Sequence, residues 1–291
     1  MCDETDLEAF AKTDSEKTGL TRRGFAATGA VASLAACTSM PGGGMGGALT
    51  ESMVMIPTSD GTMDAFFVHP AKPAPAVILW PDIAGLREVK MQMARRLAGE
   101  GYAVLVANPY YRDVKAPQFA DFAAFQAQNG FEKVGPWRAK ATEPAAVNRD
   151  ATALVAWLDK QAAVNTRRGI GNQGYCMGGP YTVYTAAAVP GRVKAAGSFH
   201  GGGLVSDKPT SPHLMLQAGT QYLIAIAQND DAKQPAAKDE LRKAAASVGA
   251  KAEIEVYSAD HGWCVPDSPA YDQVQAERAW SRLLATYKAA L

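Results

Sequence analysis

Gly174-Tyr175-Cys176-Met177-Gly178-Gly179 sets a thiol between glycines two positions to either side, the G-x-S-x-G pattern of a nucleophile elbow with cysteine in place of serine. A nucleophile so placed sits on a strained strand-to-helix turn, and side chains at the flanking positions would collide with the neighbouring strand and helix. The N-terminus of the following helix points its dipole and free N–H groups at the sulfur, which favours thiolate and stabilises negative charge developing nearby. The chemistry expected of Cys176 is therefore covalent acyl transfer. An inert buried thiol is the commoner fate of cysteine, but it does not need the glycine frame.

Such a nucleophile works with a base and an acid that orients it. Ser258-Ala259-Asp260-His261-Gly262-Trp263 follows the late apolar segment Ala252 to Tyr257, the place for a base in the chain order nucleophile, acid, base. His261 is that base; His69, His200 and His213 lack this context and read as packing or surface residues. The acid should come from Gln228-Asn229-Asp230-Asp231-Ala232, after the apolar run Tyr222 to Ala227. Proximity to the strand end favours Asp230 and the spacing to Pro235 favours Asp231. The reading leans to Asp230 and leaves Asp231 as the alternative.

The elements that must hold these residues follow from hydrophobic patterning. Ser52 to Ile56 and Met63 to Val68 alternate around the turn pair Asp60-Gly61 and predict an opening hairpin. Ala76 to Trp80 and Tyr102 to Ala107 are continuous apolar runs, the pattern of strands buried on both faces, with a helix over Val89 to Gly99 between them. The rhythm continues with a helix at Asp150 to Leu158, a strand at Arg168 to Tyr175, a helix at Gly178 to Ala188 and a strand at Val193 to Phe199. After the strand Tyr222 to Ala227 come a helix at Ala236 to Val248, the strand Ala252 to Tyr257 and a closing helix at Tyr271 to Ala289. Strands alternating with helices imply an α/β domain with a mostly parallel, doubly wound sheet.

Ala-Val-Ile-Leu-Trp-Pro-Asp-Ile-Ala-Gly from Ala76, Gly-Tyr-Cys-Met-Gly-Gly from Gly174 and Asp-His-Gly-Trp from Asp260, in that order and spacing, together resemble the dienelactone hydrolase (carboxymethylenebutenolidase) family. The resemblance spans about residues 50 to 290 and implies a single-domain α/β-hydrolase fold that cleaves small esters or lactones without metal or cofactor. It gives the triad roles to Cys176, His261 and Asp230. It also places Asp82 where the family has a glutamate touching the resting nucleophile, and makes the N–H groups of Ile83 and Met177 the oxyanion donors, the second in agreement with the general rule for nucleophile elbows. The family arginine shortly after the histidine, which helps bind the substrate carboxylate, has no counterpart in Gly262-Trp263-Cys264-Val265-Pro266. Arg112, after Asn108-Pro109-Tyr110-Tyr111, is the candidate cation near the pocket, and Tyr110, Tyr111 and Trp263 are its candidate apolar lining.

Two other readings compete. One is an exported binding protein that keeps the pocket without useful catalysis; the other is a redox thiol pair, Cys176 with Cys264. Composition narrows the partners. Lys and Arg together number 29, as do Asp and Glu, and no basic run forms a stripe, which argues against nucleic acid and an anionic membrane surface. No C-x-x-C or H-E-x-x-H spacing suggests a metal. Thr21-Arg22-Arg23-Gly24-Phe25 before the uncharged run Ala26 to Ala36 predicts a twin-arginine export signal and a periplasmic protein. Leu34-Ala35-Ala36-Cys37 resembles a lipoprotein processing box with Cys37 as the lipidated residue, the route to a membrane anchor. Residues 37–47 read as a Gly-rich tether and residues 48–291 as the hydrolase domain.

Overall fold

A computed structural model describes residues 48–291. The expected export signal, Cys37 and the tether lie outside the described residues. Gly61, at φ 132°, lets the chain reverse at Asp60-Gly61, a backbone conformation closed to residues with a Cβ. The reversal pairs β1 (Thr50–Thr58) with β2 (Gly61–His69) in antiparallel register. The apolar runs form β3 (Ala76–Trp80), β4 (Ala103–Ala107), β5 (Ile170–Tyr175), β6 (Val193–Phe199), β7 (Gln221–Ala227) and β8 (Ala252–Tyr257). The sheet has eight strands in the order β1-β2-β4-β3-β5-β6-β7-β8, and from β4 to β8 every pairing is parallel. β3 and β4 are buried along their whole length, as their lack of alternation requires.

Parallel strands need crossovers, and helices supply them on both faces. α1 (Glu88–Gly99) follows β3. α2 (Phe122–Ala127), α3 (Gly130–Ala141) and α4 (Pro144–Leu158) fill the connection from β4 to β5, α5 (Gly178–Ala188) follows β5, and α6 (Gln228–Lys233) with α7 (Ala237–Val248) joins β7 to β8. α8 (Gln273–Ala290) closes the chain. Leu97 of α1 and Leu283 and Tyr287 of α8 bury against one face of the sheet, where Val77, Leu79 and Leu223 point. Leu154 of α4, Val183 of α5 and Leu241 of α7 bury against the other, with Ile78, Trp80 and Ile224. This is a single-domain α/β-hydrolase fold. Two helices, α2 and α3, and the short α6 were not anticipated from the sequence, and α4 begins six residues earlier than the patterning at Asp150 suggested.

Candidate active site

Cys176 stands between β5 and α5 at φ 51°, the strained elbow that the glycine spacing requires. The glycines are needed for the stated steric reason. A Cβ on Gly174 would strike the Gly178 carbonyl, and one on Gly178 would lie 2.5 Å from the Trp80 carbonyl oxygen. The elbow is tied down by Cys176 N–H donating to Phe199 O at 3.1 Å. The sulfur belongs to a residue only 5% exposed, so its charge must be settled by protein groups rather than by water.

His261 arrives from the loop after β8, 6% exposed. Its backbone N–H donates to Asn229 Oδ1 at 2.9 Å, and its Nδ1 lies 2.7 Å from Asp230 Oδ2. The ring also hydrogen-bonds Cys176. Burial pulls the imidazole toward its neutral form, but the charge of the Cys176 sulfur and the hydrogen bonds to Asp230 and Cys176 outweigh it and push the His261 pKa up to about 10. The choice between adjacent aspartates is geometric. Asp230 and Asp231 sit on α6, where successive side chains diverge by about 100°. Asp230 therefore turns to His261, and Asp231 turns to α7 and pairs with Lys238 at 2.7 Å.

Ile83 and Met177 flank the sulfur at the ends of β3 and β5, and neither backbone N–H has an acceptor among the described residues. Tyr110 Oη donates to Ile83 O at 2.7 Å and approaches Met177 Sδ at 3.4 Å. Tyr110 thus braces the loop from beneath, with 1% exposure, and does not line the cavity as the sequence suggested.

Asp82 departs from the role the resemblance implied. Its Oδ1 accepts from Arg87 at 2.7 Å and from Ala84 N at 3.0 Å, and its Oδ2 meets Arg87 at 3.1 Å and Lys90 at 2.7 Å. Arg87 reaches on to Asp267 at 2.7 Å. Burial would raise the Asp82 carboxyl, but Arg87 and Lys90 hold it well below the usual carboxylate range. The residue anchors the loop that carries Ile83, because its acceptor sites are occupied by Arg87, Lys90 and the Ala84 N–H rather than offered to the thiol.

Three pocket assignments are likewise corrected. Arg112 pairs with Asp60 and Asp150, each at 2.7 Å, and lies 4.6 Å over the Tyr111 ring, while Tyr111 Oη donates to Asp150 at 2.7 Å. Both belong to a polar cluster beside the opening hairpin. Trp263 is fully buried, stacked on Tyr257 at 5.2 Å. The cavity that opens on Cys176, of about 220 Å3, is instead lined by Ile83, Met177, Arg138, Tyr181, Tyr184 and Lys208. Arg138 lies on α3, a helix the sequence reading did not detect. No disulfide joins Cys176 to Cys264, and Cys264 lines a separate apolar cavity with Phe199 and Trp280.

The chain matches the model of the dienelactone hydrolase family over residues 63–291. It is 29% identical over 250 residues to a protein of Escherichia coli (strain K12) provisionally named carboxymethylenebutenolidase, an alignment covering 83% of this chain and 88% of that one. A solved structure from Klebsiella pneumoniae subsp. pneumoniae, provisionally named a dienelactone hydrolase, superposes with a TM-score of 0.69 at 25% identity, covering 83% of this chain and 99% of the other. A dienelactone hydrolase-like promiscuous phosphotriesterase from metagenomic libraries shares the fold, with a TM-score of 0.65 at 21% identity over 84% of this chain and 99% of its own.

Proposed function

Because the chain belongs to the dienelactone hydrolase family and is a carboxylic ester or lactone hydrolase, we propose that it works through a Cys176, His261 and Asp230 triad and a covalent acyl-thioenzyme. The observation that carries this reading is the hydrogen-bonded line from Asp230 through His261 to Cys176, closed from solvent at the elbow. Asp230 occupies Nδ1, which leaves Nε2 for the sulfur. With the Cys176 charge and the hydrogen bonds to Asp230 and Cys176 raising His261 above the usual histidine range, the resting pair is a thiolate beside an imidazolium.

The thiolate attacks the carbonyl carbon, and the Ile83 and Met177 N–H groups receive the oxyanion. Collapse of the intermediate breaks the C–O bond as His261 gives its proton to the departing alkoxide; in a lactone that hydroxyl stays attached to the acyl group. His261, now neutral, takes a proton from water as the hydroxide adds to the thioester. Expulsion of the thiolate then restores the ion pair and releases the acid. The cavity is smaller than the roughly 300 to 1,000 Å3 common for drug-sized ligands, which favours a small substrate. Neither Arg138 nor Lys208 has a carboxylate partner among the described residues, which supports an ester or lactone carrying an acidic group.

Release of p-nitrophenol from p-nitrophenyl acetate tests the reading. The enzyme should give a burst equal to its active-site concentration, Cys176→Ala should give none, and His261→Ala should lose both burst and steady rate. Equal release from all three proteins would overturn the mechanism and favour a binding protein.

A further inference from the structure

His200 follows β6 and carries two features that folding alone does not reward. Its ring is 1% exposed, and neither Nδ1 nor Nε2 has a hydrogen-bond partner among the described residues. Its backbone sits at φ 41°, a left-handed conformation that side chains with a Cβ resist. Strain and an orphaned buried polar group at one residue point to a functional demand.

The demand is visible in what the ring touches. Its centroid lies 4.6 Å from that of His261 with the planes 62° apart, and 5.2 Å from Trp263 at 68°. His200 is thus wedged crosswise between the base and a fully buried tryptophan. Tyr175 of β5 approaches at 6.2 Å. The other charged groups on this side, Lys90 and Arg87 of the α1 region with Asp82 and Asp267, neutralise one another in the buried network already described. The Cys264 thiol is pushed up by its own burial, and His261 is faced from its far side by Cys176 and Asp230. Burial first, then the charges of His261 and Lys90, hold His200 well below the usual histidine range. The ring therefore stays uncharged while its neighbour carries the proton. The face of a neutral aromatic ring attracts a cation packed against it, whereas a second cation there would repel it.

We propose that His200 is a positioning residue that acts through His261, its uncharged ring fixing the plane of the imidazole and stabilising the imidazolium of the Cys176 and His261 pair. The proposal rests on the ion-pair reading above.

The test uses the full chain, with His200→Asn and His200→Leu as ringless variants and His200→Phe as the variant that keeps a ring. Asn tolerates the left-handed backbone, so it covers the case in which the leucine variant fails to fold. Two limbs are read: the acid limb of Cys176 alkylation by iodoacetamide, followed by peptide mass, and the alkaline limb of kcat/KM for p-nitrophenyl acetate. Loss of the ring should raise the first and lower the second by about one pH unit each, the scale of a desolvated cation–ring contact, and the phenylalanine variant should restore both. Ringless variants that keep both limbs in place, even with a lower kcat, would overturn the proposal by reducing His200 to packing. A phenylalanine variant that behaves like the ringless ones would overturn it too. A wild-type enzyme with no low-pH thiolate at Cys176 would instead remove the ion-pair reading itself, so the two failures are distinguishable.

Discussion

Asp230 and Asp231 have the same chemistry and adjacent positions, and the turn of α6 sends them to different neighbours. Asp230 holds His261 Nδ1 at 2.7 Å, and Asp231 holds Lys238 at the same distance. The consequences should separate sharply. Asp230→Asn offers Nδ1 a group able to stabilise the wrong tautomer and no charge to support the imidazolium, so kcat/KM should fall on the order of 100-fold or more. Asp231→Asn removes a partly exposed ion pair worth about 0 to 1 kcal/mol and should leave kcat/KM near wild type. Steady-state ester hydrolysis by the two purified variants decides the matter; the opposite ranking would reassign the acid. The sequence alone carried both candidates because strand-end proximity and the spacing to Pro235 disagree, and only the helical divergence of α6 separates them. His200 was set aside for a similar reason: nothing in the local sequence distinguishes a histidine wedged against the base from one packed in an ordinary core.

At the scale of elements, the strands were legible and the ion network was not. Ala76 to Trp80 is read from the sequence with the boundaries β3 has, because a strand buried on both faces leaves an unbroken apolar run. The elbow was legible because glycine spacing states a steric requirement that little else produces. The segment carrying α2 and α3 was opaque. α2 has six residues, and α3 contains Gly135 and Pro136 and starts after Asn129 in a left-handed conformation, so neither offers a clean helical period. Arg138, a cation of the cavity that opens on Cys176, was hidden with them. Asp82 was found by position, but its partners Arg87 and Lys90 lie just before and on α1, where a helical pattern predicts phase and not burial. That burial carries a prediction. Asp82→Asn leaves two buried cations to share one counter-charge, Asp267 beside Arg87, and removing one member of a buried ionic group typically costs about 3 to 5 kcal/mol. Urea unfolding followed by far-UV circular dichroism should show that loss, with a midpoint well below wild type. A variant as stable as wild type would mean the network is not charged as drawn.

At the scale of the molecule, every group assigned to the chemistry comes from the carboxyl ends of neighbouring strands: Ile83 after β3, Cys176 after β5, His200 after β6, Asp230 after β7 and His261 after β8. That edge of an open α/β sheet is where such folds place ligands, and β1, the first described strand, is far from it in the strand order. We propose that the hydrolytic machinery and the expected export signal are separable functions. Among the described residues no helix is long and apolar enough to cross a membrane, and the proposed attachment is a lipid on Cys37. Expressed in a Gram-negative cell with an active twin-arginine route, the full chain should fractionate with the envelope, and Arg22→Lys combined with Arg23→Lys should keep it in the cytoplasm. Cys37→Ala should move it from the membrane to the soluble periplasm without altering kcat/KM, because the residues that do chemistry begin beyond β3. Membrane association that survives Cys37→Ala would remove the lipid anchor from the account, and cytoplasmic retention of the unaltered chain would remove the export signal while leaving the hydrolase reading intact.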